Sequence, residues 1–322
     1  MAINEICASL KKYNNFLITT HTSPEGDALG SVLGFYALIT RLGKKGTIVN
    51  EDKLPYGYDF LPGSKSIRLL NKGSKDIAFD CLVVLDCADL KRCGDVYKLN
   101  KDNQPVLNID HHISNRNFGD LNWVDPDASS CSEMIYKLFK KLRQPFDDDT
   151  ALVLYTGIMT DTGSFHYSNT RAFTLKAAAE LLKFGINVAQ VYRSTYENIP
   201  AADVKILLKL LQEIKFYSSG KIAGFQIKKT QVRSAKPKVD LADLLLSFGR
   251  SIQGVEVVVL FKENLGNNSQ VRVNLRSQGK VDVNKIAAFF GGGGHKSAAG
   301  CTLTGEIKKI IPQVIAKIQE SF

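Results

Sequence analysis

Hydrophobic residues in the first half of the chain come in short runs separated by longer amphipathic stretches. Residues 16–21, 46–50, 80–86 and 105–110 are apolar runs of strand length, and residues 28–42 and 132–142 carry apolar side chains at helical spacing. Strands that are apolar on both faces and alternate with helices are typical of a parallel sheet covered on both sides. The pattern therefore predicts an α/β fold with a doubly wound, mainly parallel sheet.

The pattern changes along the second half of the chain. Helical spacing dominates residues 149–159, 171–184 and 201–214, and a mixed set of strands (221–228, 254–261, 270–276) and helices (241–248, 283–290, 307–321) follows. We predict a catalytic domain over residues 1–190, a helical linker to about residue 214, and a smaller α+β domain over 215–322. The Ser-, Lys- and Pro-rich stretch 233–238 and the Asn-Gly stretch 265–269 are expected to be solvated loops.

The composition agrees with two globular domains, and the net charge differs between them. A chain of 322 residues with 44% hydrophobic and 23% charged residues is an ordinary globular protein. Residues 1–190 hold 22 basic and 22 acidic side chains, whereas residues 191–322 hold 20 basic and 10 acidic ones. The basic second part favours a polyanionic ligand, with nucleotides and nucleic acid as candidates, although a generally basic surface is an alternative.

Cysteine spacing and hydropathy indicate a cytoplasmic protein. The six cysteines form no Cys-x-x-Cys pair, which disfavours a zinc ribbon or a disulfide scaffold. The apolar runs are far shorter than the roughly 20 residues that cross a bilayer, and the first 15 residues lack the pattern of a secretory signal. We therefore expect no membrane association and reduced thiols.

Histidine and aspartate recur where the predicted strands end. The first strand ends at His21, the third at Asp86, and the fourth at Asp110, which His111 and His112 follow. In doubly wound sheets the carboxyl ends of the strands form the binding crevice, so these side chains are expected to meet in space. A single Asp at a strand end is more often a helix cap, but the conjunction of these residues predicts a shared site.

Further ligand-type residues surround that site. Glu25 and Asp27 lie in a tight loop after His21, and Asp161 lies in a Gly-flanked turn after a helix. Imidazole and carboxylate ligands without thiolate favour Mn²⁺, with Mg²⁺, Fe²⁺ and Co²⁺ as alternatives. More than four ligands suggest two ions, an arrangement that suits hydrolysis of phosphoesters.

Two features of the second domain suit phosphate. Four consecutive glycines precede His295 and Lys296, and backbone N–H groups in such a loop can approach a phosphate closely, although a hinge is an alternative. The strand 271–277 places Arg272, Asn274 and Arg276 on one face by its period of two. Arginine forks suit phosphates, and a solvated basic face is the alternative.

These motifs together resemble the DHH phosphoesterase superfamily with a DHH-associated C-terminal (DHHA1) domain. The resemblance rests on Asp110-His111-His112, the 21–27 loop, the strand end at Asp86, the Asp161 turn and the GGGGH loop. Within that superfamily, the sequence is most similar to the branch of oligoribonucleases (nanoRNases) that also act as pAp phosphatases. The resemblance implies Mn²⁺-dependent hydrolysis of short RNA, about two to five nucleotides long, to mononucleotides, and of pAp to AMP and phosphate, by attack of an activated water on phosphorus.

The resemblance also implies roles for individual residues. One ion would be held by His21, Glu25 and Asp86, and the other by Asp27, Asp86, His111 and Asp161, so that Asp86 bridges. Asp86, Asp110, His111 and His112 would form the catalytic group, and Arg116 would lie near the scissile phosphate. The family usually has Asp where this chain has Glu25. The implied substrate-binding residues are Arg276, Ser277, Gly292, Gly293, Gly294 and His295.

Other functions share the same motifs. A phosphodiesterase for cyclic or linear dinucleotides would use the same metal site and differ in how the second domain seats the bases. A pyrophosphatase or polyphosphatase fits the basic second domain less well. The substitution at Glu25 also leaves a catalytically silent nucleotide-binding regulator as an alternative of a different class. No stable protein partner is predicted, and a homodimer stays open.

Overall fold

The computed structural model describes residues 2–232, 236–263 and 270–322. The chain forms two compact units, Met1–Asn198 and Ile199–Phe322. Each unit contains one six-stranded sheet with helices packed against it. The α/β fold class predicted from the hydrophobic pattern is therefore confirmed.

The sheet of the first unit is parallel throughout. Its order is β3-β2-β1-β4-β5-β6 and every neighbouring pair is parallel. From β1 to β3 each successive strand is added on one side of the sheet, and from β4 to β6 each is added on the other side. The strand order therefore reverses between β1 and β4. In doubly wound sheets ligands bind at such a reversal, beyond the carboxyl ends of the strands. The strands are β1 (Asn15–Thr19), β2 (Lys45–Asn50), β3 (Ile67–Leu69), β4 (Cys81–Leu85), β5 (Val106–Asp110) and β6 (Leu121–Val124).

Apolar residues on both faces of this sheet are buried, as a doubly covered sheet requires. Phe16 and Ile18 of β1 join the larger core with the helices, whereas Leu17 packs with Val49 and Val84 on the opposite face. The alternation explains why the predicted strands show continuous apolar runs rather than a period of two. The helices of this unit are α1 (Ala2–Lys12), α2 (Gly26–Arg41), α3 (Cys131–Lys141), α4 (Asp148–Asp161), α5 (Ala172–Leu181) and α6 (Val188–Tyr196).

The first unit differs from the sequence prediction at the end of α4 and in several additional elements. Helix α4 continues through Asp161, which is its last residue rather than part of a turn. The predicted turn begins one residue later, because the C-cap residue Thr162 precedes Gly163, whose φ of +55° ends the helix. Helices α1 and α6 and strands β3 and β6 were not predicted, and the two strands are only three and four residues long.

The second unit has a mixed sheet of order β11-β12-β10-β9-β8-β7. Helices α10 and α11 bury one face of it, and α7 and α9 bury part of the other. Leu210 of α7, a helix expected in the linker, is buried in this unit. The helices are α7 (Ala201–Gln212), α8 (Lys229–Val232), α9 (Leu241–Arg250), α10 (Val283–Phe289) and α11 (Ile307–Gln319), and the strands are β7 (Lys215–Tyr217), β8 (Ile222–Ile227), β9 (Val257–Glu263), β10 (Gln270–Ser277), β11 (Gly293–His295) and β12 (Ala298–Thr304).

The glycine-rich segment forms a hairpin rather than an open loop. Gly293–His295 pair with residues 298–300 of β12. A Cβ at Gly292 would lie 2.2 Å from the Gly300 carbonyl oxygen, and one at Gly294, whose φ is +150°, would lie 2.4 Å from that of Ala298. The glycines therefore permit the two backbones to pack closely. Because glycine has no side chain, this segment shows no hydrophobic pattern from which a strand could be predicted. Of the expected loops, residues 233–235 and 265–269 lie outside the described residues.

Across the described ranges, no helix combines the length and the apolar character that a membrane span needs.

Candidate active site

The side chains at the carboxyl ends of β1, β4 and β5 lie together at the strand-order reversal. His21 follows β1, Asp86 follows β4, and Asp110 ends β5 with His111 next to it. All four are buried, with at most 5% of each residue exposed. Asp86 has a φ of +53°, in the left-handed region that Asp enters more readily than most residues. The strand ends therefore bring these groups into one site.

Asp86 lies between two imidazoles. Its Oδ2 atom is 3.5 Å from Nε2 of His21, and its Oδ1 atom is 3.5 Å from Nε2 of His111. The same His111 nitrogen is 3.6 Å from Oδ2 of Asp161 and 3.9 Å from Oδ2 of Asp27. One ligand atom each from Asp27, Asp86 and His111 lies within 4.8 Å of the others. The structure thus brings together five of the six residues predicted as metal ligands.

Glu25 is the sixth predicted ligand, and it lies at the exposed edge of the site, near enough for its charge to act on His21 and Asp161. It is the exposed N-cap residue of α2, and its side chain makes no capping hydrogen bond. Among the described residues of the first unit, the converging sets of ligand atoms contain Asp27, Asp86, Asp110, His111 and His112. His21, Asp161 and Glu25 lie outside these sets, and the first two make contacts of 3.5 and 3.6 Å with Asp86 and His111, respectively. Its proposed role as a ligand stays a prediction.

Asp27 is fixed by the beginning of another helix. The backbone N–H groups of Cys131 and Ser132, at the start of α3, donate to Oδ2 and Oδ1 of Asp27 at 2.6 and 2.8 Å. Gly157 of α4 packs beneath this contact, because a Cβ there would be 2.0 Å from Oγ of Ser132 and 3.1 Å from Oδ1 of Asp27. Three helices therefore hold this carboxylate in one orientation.

Asp110 orients His112 rather than pointing at the Asp27 group. Its Oδ1 atom is 2.7 Å from Nδ1 of His112, and its Oδ2 accepts a hydrogen bond of 2.6 Å from Nδ2 of Asn115. Asn115 also donates to Oδ1 of Asn108 at 2.8 Å. Asp110 and Asn108 have no exposed surface. A hydrogen-bond network thus connects Asn108 to His112 through Asn115 and Asp110.

The carboxylates of the site differ in the direction of their pKa shifts. Burial raises the pKa of Asp86, but the neighbouring imidazoles of His111 and His21, each 3.5 Å from one of its oxygens, more than offset it, so the pKa lies well below its usual range. Burial lowers the pKa of His111, and the charges of Asp161 and Asp86 outweigh that effect and raise it well above its ordinary value. Asp86 is therefore a carboxylate that attracts cations.

Two further carboxylates have raised pKa values. Burial, and then the charges of Asp86 and Asp161, raise the pKa of Asp27 well above its ordinary value. Burial raises the pKa of Asp161 to about 6, although His111 opposes the shift. These shifts show that three acids crowd one buried site with too little positive charge, a situation that a divalent cation relieves.

The residues fit a divalent cation. Oδ1 of Asp86 is buried and has no hydrogen-bond partner among the described residues, and such an unsatisfied acceptor is costly unless something binds it. The surrounding ligands are carboxylate oxygens and imidazole nitrogens, which suit Mn²⁺ and similar ions. The thiol of Cys131 nearby donates to the Ile109 carbonyl at 3.3 Å.

The predicted phosphate and substrate groups occupy different settings. Arg116 is exposed and pairs with Asp89 at 2.8 Å. In the second unit, Ser277 is buried and its hydroxyl donates to the Val281 carbonyl at 2.6 Å. Arg276 and His295 both lie beside Ala298 in the register of β10, β12 and β11, on one face of the sheet. The substrate-binding roles of these residues, and those of Gly292, Gly293 and Gly294, stay predictions.

Comparisons with known proteins agree with this geometry. The model of the DHH family, N-terminal domain, matches residues 15–158, and that of the DHHA1 domain matches residues 239–321. The chain is 31% identical over 308 residues to the bifunctional oligoribonuclease and PAP phosphatase NrnA of Thermus thermophilus, covering 94% of this chain and 89% of that one. The chain belongs to the DHH family.

Two other similar proteins agree with the assignment of this chain to the DHH family. The bifunctional oligoribonuclease and PAP phosphatase NrnA of Bacillus subtilis is 28% identical, over 93% of this chain and 92% of that protein. An exopolyphosphatase-related protein from Bacteroides fragilis has a crystal structure that aligns with a TM-score of 0.87 at 25% identity, covering 99% of this chain and 96% of that one. The resemblance drawn from the motifs is confirmed, and the chain is a hydrolase of the phosphoesterase class.

Several residues of the site were not found from the sequence. Asn115 and Asn108 support Asp110, and Asn169 donates to the backbone carbonyl of Asp161 at 3.1 Å. A polar residue inside the strand Val106–Asp110 was a signal for Asn108, since it interrupts an apolar run. The contacts of Asn115 and Asn169 depend on tertiary packing and had no local signal.

Proposed function

We propose that this DHH-family hydrolase cleaves short oligoribonucleotides to mononucleotides and converts pAp to AMP and phosphate. The names of the two NrnA relatives give these substrates for those proteins. The single observation that carries the proposal is the buried Asp86 carboxylate between His21 and His111, with one oxygen that lacks a hydrogen-bond partner among the described residues. We place the protein in the cytoplasm.

The proposal assigns two groups of ligands to two Mn²⁺ ions, with Mg²⁺ or Co²⁺ as alternatives. His21, Glu25 and Asp86 would hold one ion, and Asp27, Asp86, His111 and Asp161 the other. Support comes from the short distances between Asp86, His111 and the carboxylates around them. When bound, such ions would supply positive charge that activates a water molecule and stabilises the phosphoryl oxygens.

The protein itself contributes a positioned imidazole. Burial raises the pKa of Asp110, but the charge and hydrogen bond of His112 outweigh burial, and the net shift is downward. Asp110 is therefore a carboxylate that accepts a hydrogen bond. An ionised Asp110 requires the proton of His112 to reside on Nδ1, which leaves Nε2 as the ring atom that can hold or give a proton. We assign His112 to a phosphate oxygen or the leaving group, and Arg116 to the substrate phosphate.

A substrate panel tests the proposal. Purified protein with Mn²⁺ should hydrolyse pAp, linear dinucleotides and a five-nucleotide RNA, and hydrolyse cyclic dinucleotides more slowly. Asp86→Asn should abolish all of these activities, because the amide keeps the shape and removes the charge. Asp127→Asn, at an exposed residue paired with Arg171, is the matched control and should keep activity. A preference for cyclic dinucleotides would favour the dinucleotide phosphodiesterase instead.

A further inference from the structure

One face of the second unit's sheet carries three ordered rows of side chains. The burial of β10 alternates, with Val271, Val273 and Leu275 inside and Arg272, Asn274 and Arg276 partly or fully exposed. Residues paired across antiparallel strands point to the same face of a sheet. The register of β9, β10, β12 and β11 therefore decides which side chains accompany each of the three exposed residues.

The two outer rows carry basic side chains, and the middle row, which has Leu260 on β9, is bare across β12 and β11. Arg272 pairs with Lys262 on one side and Thr302 on the other, and Asn274 pairs with Gly300, which in turn pairs with Gly293. The third row contains Arg276, Ala298 and His295. Successive rows are about 7 Å apart along the strand, so the outer two are separated by about 14 Å at the backbone.

Helices cover only part of this face. The buried cluster beneath α7 and α9 takes its strand residues from β8 and β9, including Phe225, Val258 and Leu260. The rows of β10 and β12 continue the same face beyond that cluster, and Arg272 and Thr302 are exposed there. The result is a basic trough with a floor of glycine and asparagine.

The guanidinium of Arg272 lies over this floor. A Cβ at residue 300 would be 2.9 Å from Nη2 and 3.2 Å from Cζ of Arg272, so the guanidinium occupies space that Gly300 leaves. Nη1 of Arg272 is 3.4 Å from Oγ1 of Thr302. The arginine therefore leans along the trough toward the row of Arg276, rather than away from the sheet.

We propose that Arg272, together with Lys262, forms a second phosphate subsite, distinct from the row of Arg276 and His295. The inference rests on the proposed function, because it assigns the ligand as a nucleotide chain. A planar guanidinium binds phosphate through two parallel hydrogen bonds, and a neighbouring lysine adds charge. A tetranucleotide has at least three phosphates, and a 5'-phosphorylated one has four, whereas pAp carries two. The subsite binds such a further phosphate and makes affinity rise with substrate length.

Comparison of substrates of different length tests this subsite. We would measure kcat/KM for pAp and for a tetranucleotide in the wild type, Arg272→Ala and Arg272→Lys. The loss in Arg272→Ala for the tetranucleotide should exceed its loss for pAp by about tenfold, and Arg272→Lys should recover part of it. The dependence of log affinity for the tetranucleotide on log salt should become shallower by about 0.7.

Lys308→Ala is the matched control, since it removes one positive charge from α11, which packs on the opposite face. It should lower kcat/KM for both substrates equally and slightly. Equal losses for pAp and the tetranucleotide in Arg272→Ala, or no loss for either, would overturn the subsite.

Binding separates this inference from the proposed function. Affinity for a fluorescent tetranucleotide is measured in EDTA, where the proposed hydrolysis does not proceed. Weaker binding by Arg272→Ala, combined with a wild type that cleaves nothing in Mn²⁺, would support the subsite and overturn the proposed function. Equal binding by the wild type and Arg272→Ala would overturn the subsite. If the wild type still cleaved the tetranucleotide in Mn²⁺, the proposed function would stand.

Discussion

Asn115 offers a sharp test of the network behind His112. Asn115→Ala removes the donors to Oδ2 of Asp110, at 2.6 Å, and to Oδ1 of Asn108, at 2.8 Å. Both acceptors belong to fully buried residues, so each loses a hydrogen bond that water replaces poorly. An unsatisfied buried acceptor costs about 1–3 kcal/mol. For two acceptors we expect a loss of about 2–6 kcal/mol in the free energy of unfolding.

The same change should lower activity through His112. Without Asn115, Asp110 is free to turn and no longer fixes the Nδ1–H hydrogen bond of His112. Residues that orient catalytic groups in this way typically contribute about 10–100-fold. We therefore expect kcat for pAp to fall by about 10–100-fold with a much smaller change in KM.

Two further variants make the assay specific. Asn115→Asp keeps the shape but faces Asp110 with a like charge, so it should lose more activity than Asn115→Ala. Asn100→Ala is the control, because Asn100 exchanges two hydrogen bonds with Gln104 in a loop. Unfolding curves and steady-state kinetics are measured for all three. A folded Asn115→Ala with wild-type kcat would refute the role of the network.

Three other perturbations have defined outcomes. Gly157→Ala should destabilise the fold by about 1–3 kcal/mol in chemical denaturation, since its methyl would overlap Ser132; unchanged stability would contradict this. Asp147→Ala removes the N-cap of α4 and should cost about 1 kcal/mol at pH 7. Burial raises the pKa of Asp147, but hydrogen bonds from Thr150 and the Arg41 guanidinium outweigh it and lower the pKa, so the difference should shrink as pH falls below 3.8 and vanish only below the lowered pKa. EDTA should abolish pAp hydrolysis, and Mn²⁺ should restore it.

The sequence predicted the part of the site that follows from a regular sheet. Parallel strands place their carboxyl ends at one edge, so the positions of His21, Asp86 and Asp110 after apolar runs were enough to bring them together. The continuous apolar runs also indicated helices on both faces, as the buried Leu17 and Ile18 show. These features depend on local periodicity, which a single sequence carries.

The rest depended on contacts between distant segments. Gly157 is required by the packing of α4 against Ser132, and nothing in its own helix indicates that contact. The hairpin of β11 and β12 pairs glycines, which have no side chains to form a pattern. Asp161 reaches the site from the last turn of α4, where its Oδ2 lies 3.6 Å from Nε2 of His111 on a distant segment.

Metal binding tests the central claim most directly. The claim is that Asp27, Asp86, His111 and Asp161, with His21, hold divalent cations in the first unit. The number of Mn²⁺ ions bound per chain is measured by equilibrium dialysis and elemental analysis for the wild type, Asp86→Asn and the control Asp127→Asn. We expect about two ions in the wild type and the control, and at most weak binding in Asp86→Asn. Equal stoichiometry and affinity in all three proteins would contradict the account.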